Sequence, residues 1–377
     1  MRRLLACVSL WLLVVSSSSP LLAWNDLGHM VVARIAYDQL NDQERAAVVA
    51  ILRHHPHLNE LLLKNRPPNA TENEWIFLRA ATWPDNIRPP RNGSREPVSS
   101  HSIYRFHHAT WHYANFEYRA GQRETTLPSQ PLLHHPLPSH PADRTDIIEQ
   151  LDHSYMIVRG AERERSEPET SLELAEIRAV RMCWMIHLIG DVHQPLHVVT
   201  LVDDRIPELK YGDEGGNKLA IRINHNTAPR KLHALWDDLL GTHAHYPQVV
   251  HLAEMFSRDP RLAPAKMPDY ARHKQAWEYA EESYQAAKDV VYQNGRLQFA
   301  LWSRVENHEL PVGEVPVMSN EALEQAHALA ARRITLAGFR LADRLKYIVS
   351  RDASRNFAKR DVDLAPRRGQ SQSRSIR

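Results

Sequence analysis

Cysteine is nearly missing from this sequence: 377 residues contain two, Cys7 and Cys183. A disulfide framework is therefore excluded, and stability must come from a core or from metal. No charge sign prevails either, with 47 Lys+Arg against 45 Asp+Glu. Setting aside Arg2 and Arg3, which precede the apolar start, the fixed charges cancel, so a polycation that grips nucleic acid by bulk charge is excluded. With 13 Gly and 24 Pro, the chain is neither collagen-like nor of low complexity. No apolar run is long enough to span a bilayer. HExxH, GxSxG, a Walker loop and GxGxxG are all absent, which removes support for zincin, serine-hydrolase, NTPase and Rossmann chemistry.

What is abundant is histidine, 23 residues. Imidazole is the commonest protein metal ligand, so metal chemistry becomes the first hypothesis. The longest apolar stretch runs from Leu4 to Val15, interrupted only by Ser9, and is followed by a Ser cluster and Leu-Leu-Ala. Its length and flanks are those of a signal peptide cleaved after Ala23, with an uncleaved anchor as the alternative. The expected organisation is a signal peptide at 1–23, one domain at 24–350, and a basic disordered tail at 351–377. Export, to the periplasm or beyond the cell, would remove Cys7 and leave Trp24 as the first residue, with no integral membrane association.

Helical spacing dominates the remainder. Asp26 is placed to cap a first helix, and Asn41-Asp42 precedes a second. Thr170 and Glu173 have the spacing of a capping box before a long run that ends near Pro195. A further helical pattern runs from Asp269 to Asn294, and the last carries Leu323, Ala330, Ile334, Leu341, Leu345 and Ile348. Lys218 to Ile223 is the best short strand, and 120–142, rich in Pro and His, reads as an irregular surface loop. The predicted fold class is all-α.

The densest chemical signal is His187-Leu-Ile-Gly-Asp191-Val-His193-Gln-Pro-Leu-His197. On a helix, His187 and Asp191 lie one turn apart, on a face shared with Val180, Cys183 and Trp184. That face is apolar, and a buried carboxylate demands a cation or several donors. The pair offers one nitrogen and one oxygen ligand from a rigid element, as zinc sites do. Pro195 breaks the helix, so His197 leaves in another direction. The same spacing recurs at His233 and Asp237. A His–Asp hydrogen bond inside a core is commoner than a metal site, yet two such pairs with an additional His favour metal. Spacing alone leaves Asp85 and His112 as options among many.

Trp24-Asn-Asp-Leu-Gly28-His29, Trp83-Pro-Asp85-Asn-Ile-Arg88, Trp111-His112-Tyr113, the His187–His197 block, Gly215-Gly216-Asn217 and His233–Asp237 follow one another in a familiar order. In these motifs the chain resembles the zinc-dependent single-strand-specific nucleases of the S1/P1 type. The resemblance implies a mainly helical domain with three Zn2+ ions. One would be held by Asp85, His112, His187 and Asp191. A second would take His29, bridging Asp191, and the amine and carbonyl of Trp24. The third would use His197, His233 and Asp237. It also implies that Asp85 orients the attacking water, that Arg88 neutralises phosphoryl charge, and that Tyr113 stacks a nucleobase.

Asn115 stands where some fungal members have Asp, which opens the question of base preference, and Asn217 would approach the substrate. The implied partners are single-stranded DNA or RNA and 3′-mononucleotides, cut to leave 5′-phosphates. His193 is expected to orient a neighbouring ligand; His54, His55, His57, His134, His135, His243 and His245 are expected at the surface. A zinc phospholipase C and a non-catalytic zinc-binding protein are the alternatives. Arg88 argues against the latter, and the five-residue step from Trp24 to His29 argues against the former.

Overall fold

The computed structural model describes residues 24–89, 103–120, 128–131, 145–162 and 172–364. The expected signal peptide, most of the 120–142 loop, His134 and His135 lie outside the described residues. Eleven α-helices are described: α1 Asp26–Gln39, α2 Asp42–Leu52, α3 Glu72–Asn86, α4 Ile147–Val158, α5 Leu174–Val192, α6 Leu232–Asp237, α7 Tyr246–Arg258, α8 Pro268–Arg272, α9 Ala276–Ala286, α10 Trp302–Glu306 and α11 Asn320–Leu364. Five strands of two or three residues accompany them: β1 Glu117–Arg119, β2 Thr200–Val202, β3 Leu219–Ile221, β4 Arg230–Lys231 and β5 Ala300–Leu301. The fold is mainly α, as predicted, and β3 falls inside the expected strand.

The long middle helix, α5, organises the rest. From Ile177 to Val192 only Arg178, Arg181, His187 and Asp191 interrupt the apolar residues, and a helix apolar on most of its faces must be enclosed. Its neighbours are α4, α3, α2, α11, α1 and, most lightly, α9. Trp184, Met185, Ile186 and Leu188 are fully buried within that cage. Burying each such side chain stabilises the fold by about 1.5–3 kcal/mol, so the helix that carries the candidate ligands is among the least able to shift. Among the described residues, no helix is long and apolar enough to cross a membrane.

Several boundaries differ from expectation, each for a local reason. Asn25 rather than Asp26 caps α1, its side chain accepting from Gly28 N at 3.2 Å. Asp26 instead opens the first turn, where a carboxylate complements the helix dipole. The box before α5 is built by Glu173 and Glu176, with Glu173 N donating to Glu176 Oε2 at 3.0 Å; Thr170 is outside the described residues. The 269–294 pattern is broken between α8 and α9, where Lys274 N and Gln275 N both donate to Glu278. The tail expected to be disordered from 351 is helical as far as Leu364, because α11 continues without a breaker. Residues 365–377 are outside the described residues.

Candidate metal centre

Two pieces of backbone bring the ligand-bearing segments together. The stretch after His112 and the stretch after His197 zip in parallel as β1 and β2, with Glu117 opposite Thr200. Ala114 N donates to His197 O at 2.8 Å, and Thr200 N to Phe116 O at 2.9 Å. Antiparallel β3 and β4 then deliver the Gly215-Gly216 turn beside His233 at the start of α6. Gly190 of α5 admits α1: a Cβ there would stand 2.8 Å from His29 Nδ1. His29 thereby lies flat on His187, ring centroids 3.9 Å apart.

Tryptophans hold the remaining ligands in place. Trp111 is stacked on His108 at 3.8 Å, lies under the Arg181 guanidinium at 4.6 Å, and meets Trp184 edge-on at 4.8 Å. The short turn Ala109–His112 is thus anchored one residue before its ligand. Trp83 plays the same part for Asp85. Its indole N–H donates to His57 Nδ1 at 3.2 Å, and His55 meets it in a T-shaped contact at 4.6 Å. His55 and His57, expected at the surface, are therefore buried; a buried indole needs an acceptor, and these histidines come from a distant loop. His54, His243 and His245 are exposed, as expected.

Three donor atoms form a nearly equilateral triangle: His112 Nδ1, His187 Nε2 and Asp191 Oδ2 are each 3.0 Å from the other two. Asp85 completes the group, Oδ1 at 4.0 Å from His112 Nδ1 and Oδ2 at 4.0 Å from His187 Nε2. The second oxygen of Asp191, Oδ1, lies 3.1 Å from His29 Nε2, so this carboxylate joins two sites. Elsewhere in the cleft, His197, His233 and Asp237 converge, with His233 Nε2 3.6 Å from Asp237 Oδ2. Ligands about 2.0 Å from a tetrahedral ion stand roughly 3.3 Å apart, which these spacings approach.

The donor chemistry fits a cation on two further grounds. His187, His197 and His233 donate Nδ1–H to Ala81 O, His112 O and Gly215 O at 2.7, 2.5 and 2.7 Å. Each ring is thereby fixed in the tautomer that leaves Nε2 as a lone pair. In addition, His29 Nε2, Asp85 Oδ2, Asp191 Oδ1 and His197 Nε2 are buried without a hydrogen bond. Orphaned buried polar atoms of this kind are costly unless an ion satisfies them.

Burial and the neighbouring charges pull the ligands in opposite directions. Burial pushes the Asp237 carboxyl well above the usual range, against the Gln194 amide that donates to it at 2.8 Å. Asp191 goes the other way: burial is outweighed by His187, His112 and His29, which hold it well below the ordinary value. Burial opposes protonation of His187, yet Asp191 and Asp85 lift it to about 9. Cys183 is buried and its thiol raised by burial, so it serves as a small apolar side chain.

Above the ligands opens a cleft of about 420 Å³, lined in part by Arg88, Tyr113, Asn115 and Asn217. Arg88 reaches down to Asp85, its Nη2 donating to Oδ1 at 2.9 Å. Asn217 donates its amide to Glu214 O at 2.8 Å, so it stabilises the glycine turn as well as facing the cleft. Trp24 is fully buried, and the next residue, Asn25, donates its backbone N–H to Asp237 O at 3.4 Å. His193 departs from its expected role. Its Nδ1 donates to Ile189 O, and its Nε2 faces Arg340 at 2.7 Å, in a buried group with Arg333 and Glu282. Among the polar residues that line the cleft, His107 and Glu214 were not picked out by the sequence. Glu214 had no signal beyond its place before two glycines.

Endonuclease 4 of Arabidopsis thaliana is 22% identical over 232 residues, which cover 58% of this chain and 56% of that protein. The chain thus spans about half the length of this relative. The description of the S1/P1 nuclease family matches residues 24–350, the whole of the expected domain, and the chain belongs to that family.

Proposed function

We propose that this chain is an exported phosphodiesterase that cuts single-stranded DNA and RNA to 5′-phosphorylated products and also accepts 3′-mononucleotides. The observation that carries the proposal is the donor triangle, with Asp191 shared towards His29, at the floor of a cleft that also presents a guanidinium and an aromatic ring. Three zinc ions are assigned: one to Asp85, His112, His187 and Asp191; one to Asp191, His29 and the amine and carbonyl of Trp24; one to His197, His233 and Asp237. Zinc at such sites supplies Lewis acidity to a phosphoryl oxygen and brings the pKa of bound water near neutrality.

The side chains supply the rest. Asp85 orients the attacking water, itself held by Arg88. The oxygen of that water bonds to phosphorus as the P–O3′ bond breaks in line, and a proton of the water ends on the departing 3′-oxygen. Arg88 offsets the charge that grows on the phosphoryl oxygens, an interaction stronger in the transition state than before it. Tyr113 offers its face to a base, which must be unstacked to use it, and this gives a physical reason for single-strand preference.

Trp24 links targeting to catalysis in this reading. Its burial and the Asn25–Asp237 hydrogen bond support a place beside the ligands. Only a free amine there, released by cleavage after Ala23, has a lone pair to donate; an amide nitrogen has none. The test pairs elemental analysis of processed protein with digestion of single-stranded DNA, duplex DNA and a choline phospholipid. Three zincs and single-strand cleavage are expected. Lipid hydrolysis without nuclease activity would establish a phospholipase, and full zinc with no phosphoester cleavage a zinc-binding protein.

A further inference from the structure

We infer that Glu214 reads the edge of the base stacked in the cleft and makes guanine its preferred occupant; this rests on the nuclease reading above. Glu214 lines the same cleft as Tyr113 and Asn115. Its backbone is left-handed, φ 56°, continuous with Gly215 at 59° and Gly216 at 84°. A side chain with Cβ is strained there, whereas a glycine would not be. The chain nevertheless places a carboxylate at this position, at the rim of a groove for a polyanion, and strained positions cluster at functional sites.

The turn that carries it is held firmly. Asp213 accepts from Leu201 N at 2.8 Å, Tyr292 Oη at 2.8 Å and Thr200 Oγ1 at 3.3 Å. A Cβ on Gly215 would stand 2.4 Å from Leu196 O, so the turn lies directly on the neighbouring backbone. Lys218 Nζ is 3.3 Å from Glu214 Oε1, which steadies the side chain and offsets its repulsion of phosphate. Each carboxylate oxygen has more than one lone pair, so both oxygens can still accept. Asn217 spends one amide N–H on Glu214 O, which leaves its second N–H and its oxygen towards the cleft.

In a cleft that also holds the donors Arg88 and Asn115, the Glu214 carboxylate selects bases by their donors. Guanine presents N1–H and the 2-amino group side by side, a matched pair for a carboxylate. Adenine and cytosine present one amino group beside a ring acceptor. Uracil and thymine present a single N–H between two carbonyls, which a carboxylate repels. A bidentate contact of this kind separates bases by about ten-fold or more.

The experiment compares kcat/KM of the zinc-loaded protein on GpG, ApA, CpC and UpU, and calorimetric binding of guanosine and uridine, in the native protein, E214Q and E214G. The glycine variant suits the left-handed turn, so it tests the side chain without strain. The native protein is expected to favour guanine over uracil by about ten-fold in both measurements, and both variants to bring the ratio within two-fold. A native ratio near one, or a ratio that survives both substitutions, overturns the assignment while leaving the nuclease intact. If no dinucleotide is cut, the nuclease reading fails, and the nucleoside affinities alone decide the role of Glu214.

Discussion

His187, His197 and His233 each spend one ring nitrogen on a backbone carbonyl, and that choice determines what the other nitrogen can do. At this scale the sequence was most informative where ligands share an element. The four-residue steps from His187 to Asp191 and from His233 to Asp237 are visible in the chain itself, because helical geometry turns them into neighbours. Asp85 and His112 are not visible in that way: they reach His187 across 102 and 75 positions, and only the resemblance singled them out. His193 misled because it lies six positions beyond His187, about a third of a turn off the ligand face. Arg88→Ala is expected to lower kcat by about 10²–10³-fold, the usual cost of losing one transition-state donor. Zinc content should stay at the native level by plasma emission; loss of zinc would make Arg88 a structural partner of Asp85 instead. Tyr113→Ala should raise KM for single strands by about 5- to 150-fold, the loss of about 1–3 kcal/mol for one stacked base, read from steady-state kinetics on short oligonucleotides.

Among the elements, α5 was the easiest to anticipate and the contacts it makes were the hardest. Its apolar run fixes both helicity and burial, yet nothing local reveals that Gly190 is the place where α1 leans on it. A methyl group at Gly190 would meet the His29 ring at 2.8–3.0 Å, and an imidazole wedged on His187 has little room to retreat. Gly190→Ala is therefore expected to leave the helix content unchanged, since alanine favours a helix by about 1 kcal/mol over glycine. It should displace His29 and release one zinc per molecule, measured by circular dichroism beside metal analysis. Full metal retention would show that the ring can slide. The strands were largely illegible for the opposite reason: pieces of two or three residues have no periodicity to read, and they form because the ligand-bearing segments must run side by side.

For the whole molecule, the buried group behind α5 governs behaviour in acid. Burial pushes the Glu282 carboxyl up, but Arg333 and Arg340 more than reverse this and hold it below its ordinary value of 4.5. A carboxyl depressed in the folded state contributes stability above the unfolded value and loses it as pH falls through the folded one. Glu282→Gln should thus be less stable than the native protein at neutral pH, and the gap in Tm should narrow below about pH 4.5. A gap that stays constant down to pH 3 would mean the arginines are neutralised elsewhere. An additional residue before Trp24 should cost a zinc and abolish turnover; an extended chain with three zincs and full activity would remove the terminal amine from the site.

Cys183 lies sealed inside α5, one turn before His187, and Cys7 belongs to the expected leader. A thiol reagent can therefore label the leader-free chain only when that helix parts from its cage. The labelling rate becomes a clock for breathing of the very scaffold that grips the ions. Timed with and without a chelator, it would tell how far the bound ions latch the interior shut.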